Sequence, residues 1–243
     1  METLNIRIDI KTVACHRKGN KWNNIAPYLW NIFFKIDGSC VKITNEFQLE
    51  GEAKFKFSPG SHGNLAVSGL SGNQIIKIPA SIGKWQTTLV PLSIPYFEAH
   101  FPGIVGVLSV LLAQGNVSDN GAEAGHSRLN NYVENAINQS IAHFDPRRVD
   151  IHNIEESVKK FFEHRVVQFT DGIVGTVENA IRNAQNVFQN LWSLANRDEL
   201  LGFQIWDFNN NDIIASGKDI NFSHRWSTNH SDEWEISGKL LAL

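Results

Sequence analysis

The densest chemistry in the sequence is the run His16-Arg17-Lys18-Gly19-Asn20-Lys21-Trp22-Asn23-Asn24. Three cations, Arg17, Lys18 and Lys21, stand beside Trp22 in a polar stretch of loop composition. Cations draw a loop towards an anionic surface and an indole settles at a membrane interface, so the combination suits lipid headgroups. A sugar or a protein partner can use the same aromatic anchor and charges. Lys54 and Lys56 add a second pair of cations two residues apart. Period-two alternation puts them on one outward strand face, near Lys42, with Ala53, Phe55 and Phe57 inward.

Signals of catalysis are weaker. Nine histidines are present, but no two stand four apart as a helical zinc pair requires; His100, His126 and His164 are scattered. Gly69-Leu-Ser-Gly72 stops short of a nucleophile elbow. Cys15 and His16 are chain neighbours, which does not make a catalytic dyad. No Gly-rich segment leads from a strand into a helix to cradle phosphate. The enzyme alternative is a hydrolase whose site is assembled from distant loops.

Bulk properties narrow the classes. The chain has 243 residues, enough for a substantial core, and is 42% hydrophobic and 19% charged, which argues against disorder. A formal net charge of -3 argues against a nucleic-acid binder. Residues 1–90 hold 11 Lys and Arg against 6 Asp and Glu, and the remainder 11 against 19. A basic front half favours an anionic surface or ligand. Two cysteines, Cys15 and Cys40, make neither a disulfide framework nor a zinc set. The start METLNIRIDI lacks the apolar core of a signal peptide, and the apolar stretch Gly103 to Ala113 is too short to span a bilayer. The expected compartment is the cytoplasm, with export without a classical signal left open.

The elements that must position these residues read as strands around a helical block. Leu4, Ile6, Ile8 and Ile10 alternate with polar residues, the pattern of a half-buried strand. Pro27 to Ile36 is apolar on both faces, as a central strand is. Asp37-Gly38 carries hairpin chemistry, so Val41 to Phe47 is expected to return beside that strand. Ser58 to Ser71 reads as a long loop. Short strands are expected at Gln74–Ile78, Trp85–Leu92, Ile104–Leu112, Leu200–Phe208 and Trp234–Leu241.

Between them the apolar period shifts to 3.6. Leu129, Val133, Ala136, Ile137 and Phe144 begin it, and Ile173 to Ala195 carries it on. The expected helices cover 122–144, 152–170 and 173–197. The fold class is therefore an all-β antiparallel sandwich with an inserted α-helical hairpin or bundle. Residues 1–115 and 200–243 form one discontinuous β domain, and 116–199 the amphipathic insert. Arg128 to Glu199 holds 8 basic and 10 acidic residues, which suits packing or self-association into a homo-oligomer better than insertion into lipid.

Two segments resemble a C2-type β-sandwich. One is Leu4–Ile36, where Ala26-Pro27-Tyr28-Leu29 leads into the central strand at the place C2 domains carry Ser-Asp-Pro-Tyr. The other is Leu201-Gly-Phe-Gln-Ile-Trp-Asp-Phe-Asn-Asn-Asn-Asp212, similar to the C2 strand that runs into an Asp-x-Asp loop. The resemblance implies peripheral membrane or protein binding, in some members through calcium, with Asp207, Asn209 and Asp212 as the ligands. Ala26 stands where the family has an aspartate and Asn209 replaces a carboxylate, so calcium binding is expected to be absent or weak and no other cofactor is implied. The plain alternative for Asp207–Asp212 is a polar hairpin turn. The expected function is a non-enzymatic binding module for an anionic membrane surface, ligand or protein partner. A toxin-like protein whose helices rearrange to enter a membrane is the other alternative.

Overall fold

The alternation at the front of the chain makes a long strand, β1 (Leu4–Arg17), with Ile6, Ile8 and Ile10 buried on one face. Among the described residues the elements that follow are β2 (Pro27–Ile36), β3 (Val41–Ile43), β4 (Leu49–Gly51), β5 (Lys54–Phe57), β6 (Gln74–Lys77), α1 (Ala80–Gly83), β7 (Lys84–Leu89), β8 (Leu92–Ser93), β9 (His100–Phe101), β10 (Ile104–Ala113), α2 (Asp119–Ala142), β11 (Glu199–Asn209), α3 (Asn210–Ala215) and β12 (Asp219–Ser227). The last strand is β13 (Glu233–Ala242). The computed structural model describes residues 1–19, 26–46, 48–67, 70, 72–96, 98, 100–115, 117–142, 199–217, 219–228 and 231–243. The helices expected at 152–170 and 173–197 lie outside the described residues, as do positions 143 and 144 of the first expected helix.

The fold is dominated by antiparallel sheets. The first runs β12-β13-β1, and the other edge of β1 is shared: β7 pairs with Leu4 to Asp9 and β6 with Thr12 to Cys15. The second runs β11-β10-β2-β5. Both sheets feed one core. Ile6, Ile8 and Ile10 of β1 and Trp234, Ile236 and Leu240 of β13 meet Leu29 and Phe33 of β2 and Val105, Val107 and Leu111 of β10. At one side of this core the indole of Trp226 on β12 donates to the carbonyl of Leu201 on β11. Its ring lies where a side chain at Gly202 would go.

A second core lies on the opposite face of the second sheet. Tyr28, Trp30, Ile32, Phe34, Ile104, Leu108 and Leu112 pack there against Leu129, Val133, Ile137 and Ile141 of α2. The buried stripe of α2 is Ala122, His126, Leu129, Val133, Ile137 and Ile141, with steps of three or four. Burying each of its aliphatic members contributes about 1.5–3 kcal/mol. This explains why β2 and β10 are apolar on both faces: every residue of each is buried, one face under the first sheet and the other under α2. The far side of the first sheet is polar instead, with Thr12 bonded to Ser237 at 2.7 Å and Lys239 to Asp219 at 2.7 Å. Among the described residues, no helix is long and apolar enough to cross a membrane.

Two local expectations fail, and one strand was missed. Asp37-Gly38 does not turn a hairpin, because β2 pairs with β10 and β5 while β3 pairs with β4. Gly38 has no positive φ; a Cβ there would strike the carbonyl oxygen of Pro91 at 2.4 Å, so close backbone approach is what requires glycine. The strand expected at Trp85–Leu92 breaks into β7 and β8 around Val90 and Pro91, proline having no N–H for a ladder. Strand β12 was not anticipated, although Ile220, Phe222 and Trp226 share one face and pack on the first core.

Two ladders span the chain: Ile6 to Arg17 against Ala242 to Glu233, and Ile104 to Ala113 against Asn209 to Glu199. A fragment of residues 1–115 lacks β11 and β13 and leaves the inner edges of β10 and β1 unpaired. It is expected to show no cooperative thermal transition by circular dichroism, whereas the full chain melts cooperatively.

Candidate ligand cleft and the cationic loop

Strand β5 is short, and its register on β2 sets the chemistry. Lys54 stands opposite Lys35 and Lys56 opposite Phe33, so the three lysines share one face of two neighbouring strands. That face is the one turned to the first sheet, since Phe33 belongs to the core between the sheets. Phe55 and Phe57 point the other way, onto the α2 core, with rings stacked at 5.9 Å. Lys56 therefore does not sit on a solvated outer face as expected. It is half-buried, its ammonium donates to the Lys84 carbonyl and lies 5.6 Å over the Phe33 ring, and burial lowers its pKa. Lys42 stands apart on β3, paired with Glu50 at 3.0 Å.

Lys35 is 3% exposed and fully satisfied. Its Nζ donates to Asp37 Oδ2 at 2.8 Å, to Ser39 Oγ at 2.9 Å and to the Thr88 carbonyl at 2.8 Å. Asp37 accepts in turn from the Ser39 backbone and hydroxyl at 3.0 and 2.6 Å, and from the Val90 backbone at 3.0 Å. Burial alone pushes the Asp37 carboxyl up; hydrogen bonds from Lys35, Ser39 and Val90 together outweigh it and hold the pKa below the ordinary value. This pair ties the end of β2 to the β7–β8 connection.

Beside it, between β5 and β7, lies an open cleft of about 650 Å³ lined by Lys35, Ser39, Lys54, Trp85, Thr88 and Glu134 among others. Lys54 is exposed, and neither it nor Glu134 makes an ion pair with another described residue. The cleft thus offers a free ammonium, a carboxylate, hydroxyls and a half-buried indole. Four separate segments supply these groups. Sequence reasoning found Lys54 and missed Ser39, Trp85, Thr88 and Glu134, because no spacing links residues that only the sheet register brings together.

The cationic loop lies elsewhere. Arg17 Nε donates to the Ser231 carbonyl at 2.8 Å, and its Nη2 is 3.8 Å from Glu233 Oε1. Glu233 also accepts from Arg225 at 2.7 Å, and that bond leads the lowering of its pKa. The Gly19 N–H donates to the Asp232 carboxylate, which Thr228 Oγ1 also reaches at 3.2 Å. His16 bonds Glu235 at 2.8 Å. The start of the loop is therefore strapped to the turn between β12 and β13, and Arg17 already faces an acid. Lys18 also makes an interaction of its own. Asn20, Lys21 and Trp22 lie outside the described residues. Thr88 pairs with Asn5, and Arg17 is twelve residues further along β1, roughly 40 Å at the rise of a strand. Arg17 and Lys54 therefore do not belong to one site.

The residues matched to a calcium loop are used by the backbone. Asn209 caps α3: its Oδ1 accepts from the N–H groups of Asn211 at 2.9 Å and Asp212 at 3.1 Å. Asp212 Oδ2 reaches back to the Asn209 N–H at 3.3 Å and side-chain amide at 2.6 Å, completing a capping box. The segment starts a helix and does not turn as a hairpin, a signal legible in Asn209 and Asp212 three apart. Asp207 sits within β11 opposite Gly106 and has an interaction of its own. Among the described residues, no group of three His, Cys, Asp or Glu is placed to hold a metal ion. Cys15 and Cys40 are free thiols, and burial raises the pKa of both.

Removing one partner of a buried ion pair strands the other. Asp37→Ala should cost about 3–5 kcal/mol in urea unfolding at pH 7. Replacing both, Lys35→Met with Asp37→Leu, should recover most of that. Because the folded pKa of Asp37 is depressed, its contribution is present above 3.8 and lost as pH falls through the folded value. The wild type should therefore lose more stability than Asp37→Ala on acidification below that point. No family model, curated protein or solved structure matches the chain.

Proposed function

We propose that this chain is a non-enzymatic binding module for an anionic headgroup, built on a C2-like antiparallel β-sandwich. In this reading, residues 1–115 and 200–243 form one discontinuous domain around the helical insert 116–199. The observation that carries the function is Lys54, an exposed cation on the same strand face as Lys35 and Lys56, opening into the cleft between β5 and β7. Asp37 already neutralises Lys35 and a carbonyl engages Lys56, which leaves the Lys54 ammonium to meet a phosphate or carboxylate. The hydroxyls of Ser39 and Thr88 and the indole of Trp85 supply polar and stacking contacts beside it. Arg17, with Lys18, Lys21 and Trp22 close to it in sequence, offers a second cationic segment; the Arg17 side chain is 58% exposed despite its acidic neighbour.

Co-sedimentation with phosphatidylserine vesicles across a salt series tests this. One cation near an anionic surface contributes about 1 kcal/mol, so Lys54→Ala should weaken binding about fivefold at moderate salt. Lys77→Ala, an exposed cation on the first sheet, should leave it unchanged. Soluble phosphoserine should compete if the cleft takes the headgroup itself. The combined variant Arg17→Ala, Lys18→Ala, Lys21→Ala shows whether this second segment also faces the lipid. Equal binding by wild type and Lys54→Ala would remove the cleft from the function.

A further inference from the structure

The stripe by which α2 grips the second sheet contains one polar member, His126. Its side chain is 3% exposed, and its ring lies flat on Trp30, centroids 4.9 Å apart and planes 16° from parallel. His126 Nε2 is buried with no hydrogen-bond partner among the described residues, and so is Asn130 Oδ1 one helical turn on. The neighbouring groups are few. Strand β2 presents Trp30 and Tyr28. The turn after β5 presents His62, edge-on to Tyr28 at 4.9 Å and bonded to Asp119 at 2.8 Å. α2 itself carries Glu123 and Arg128 on the adjoining turns. None of these makes a hydrogen bond or ion pair with His126.

A proton on this imidazole would therefore be a buried charge with no counter-ion among the described residues. The indole face attracts a cation, but less than water does, because stacking replaces only part of a hydration shell. We infer that α2 is an acid-released cover: it stays docked at neutral pH and lifts from the second sheet when His126 takes a proton, baring the apolar face of β2 and β10. Released, the helix would uncover Tyr28, Trp30, Ile32 and Phe34 together with Leu108 and Leu112. A continuous apolar face of that kind favours association with lipid or with another apolar surface. This reading rests on the α2 interface and on His126, not on Lys54, although Glu134 of α2 also lines the Lys54 cleft and would leave it on release.

The direction follows from linkage. Burial alone lowers the His126 pKa from 6.5 to about 4. Below 6.5 the released state binds a proton that the docked state refuses, so docking is fullest above 6.5 and weakens as pH falls towards 4. Those two values set the ratio of released to docked helix about 30-fold higher at pH 5 than at pH 7.5, with a limit of about 300-fold. The His62–Asp119 bond also holds the start of α2, so that pair needs its own control.

Hydrogen exchange of the full chain, corrected for intrinsic rates, reads this directly between pH 7.5 and 4.5. Amides of 119–142 should lose protection about 30-fold by pH 5 while those of β1 and β13 hold, and a dye sensitive to apolar surface should brighten over the same range. His126→Phe should keep α2 protected throughout. His126→Gln, neutral at every pH, should do the same and serves if the phenyl ring disturbs the seam. His62→Gln should retain the acid response. Constant protection of α2, an unchanged response in both His126 variants, or loss of β1 and β13 together with α2 would each overturn the inference.

Discussion

The structure depends on one constraint: β2 and β10 have no solvent face. A sheet interior with apolar residues on both sides cannot be stable under a single layer. The first sheet covers one side and α2 the other, and each cover exists for the same pair of strands. Double burial also means that every polar group on these strands must be paired within the protein. Asn31 is so treated: its Oδ1 accepts from Ser109 Oγ at 2.6 Å, its Nδ2 donates to the Ile82 carbonyl at 3.2 Å, and its N–H donates to Ser58 Oγ at 2.9 Å. Lys35 meets the same requirement with an acid, a hydroxyl and a carbonyl. On the side of the other cover, His126 Nε2 and Asn130 Oδ1 have no hydrogen-bond partner among the described residues.

That contrast orders the electrostatics. Lys35 and His126 are both buried basic groups against β2. The first sits in a net of acceptors with Asp37 at its centre; the second has a flat aromatic neighbour and, among the described residues, no acid paired with it. Burial lowers the His126 pKa, whereas Lys35 meets its acceptors within the protein. The cations with room to act outside the protein are accordingly at the margins, Lys54 at an edge strand and Arg17 at the end of a long one.

Elements defined by their own residues were legible in the sequence, and arrangements defined by other segments were not. Period-two alternation marked β1, double-sided apolarity marked β2 and β10, and a 3.6 period marked the seam of α2 to within three residues of its start. What covers β2 was ambiguous, because a strand buried under two sheets and one buried under a sheet and a helix have the same composition. Asp37-Gly38 misled because turn chemistry is local, while the need for glycine comes from Pro91, more than fifty residues away. Lys56 misled because alternation assigns residues to faces without saying which face is wet; both faces of β5 meet protein. The cleft was invisible for the same reason, its groups converging from β2, β5, β7 and α2 only through register.

The pairing of β1 with β13 also governs when folding can finish. The two ladder ends, Ile6 and Ala242, are nearly the whole chain apart. During synthesis at about 5–20 residues per second, β1 emerges from the ribosome roughly 10–50 s before its neighbour exists. Throughout that interval a fourteen-residue strand with an isoleucine face has one long edge unpaired, and β2, apolar on both sides, follows it out of the ribosome uncovered. The nascent chain is thus obliged to hold its most aggregation-prone strands apart until β13 arrives.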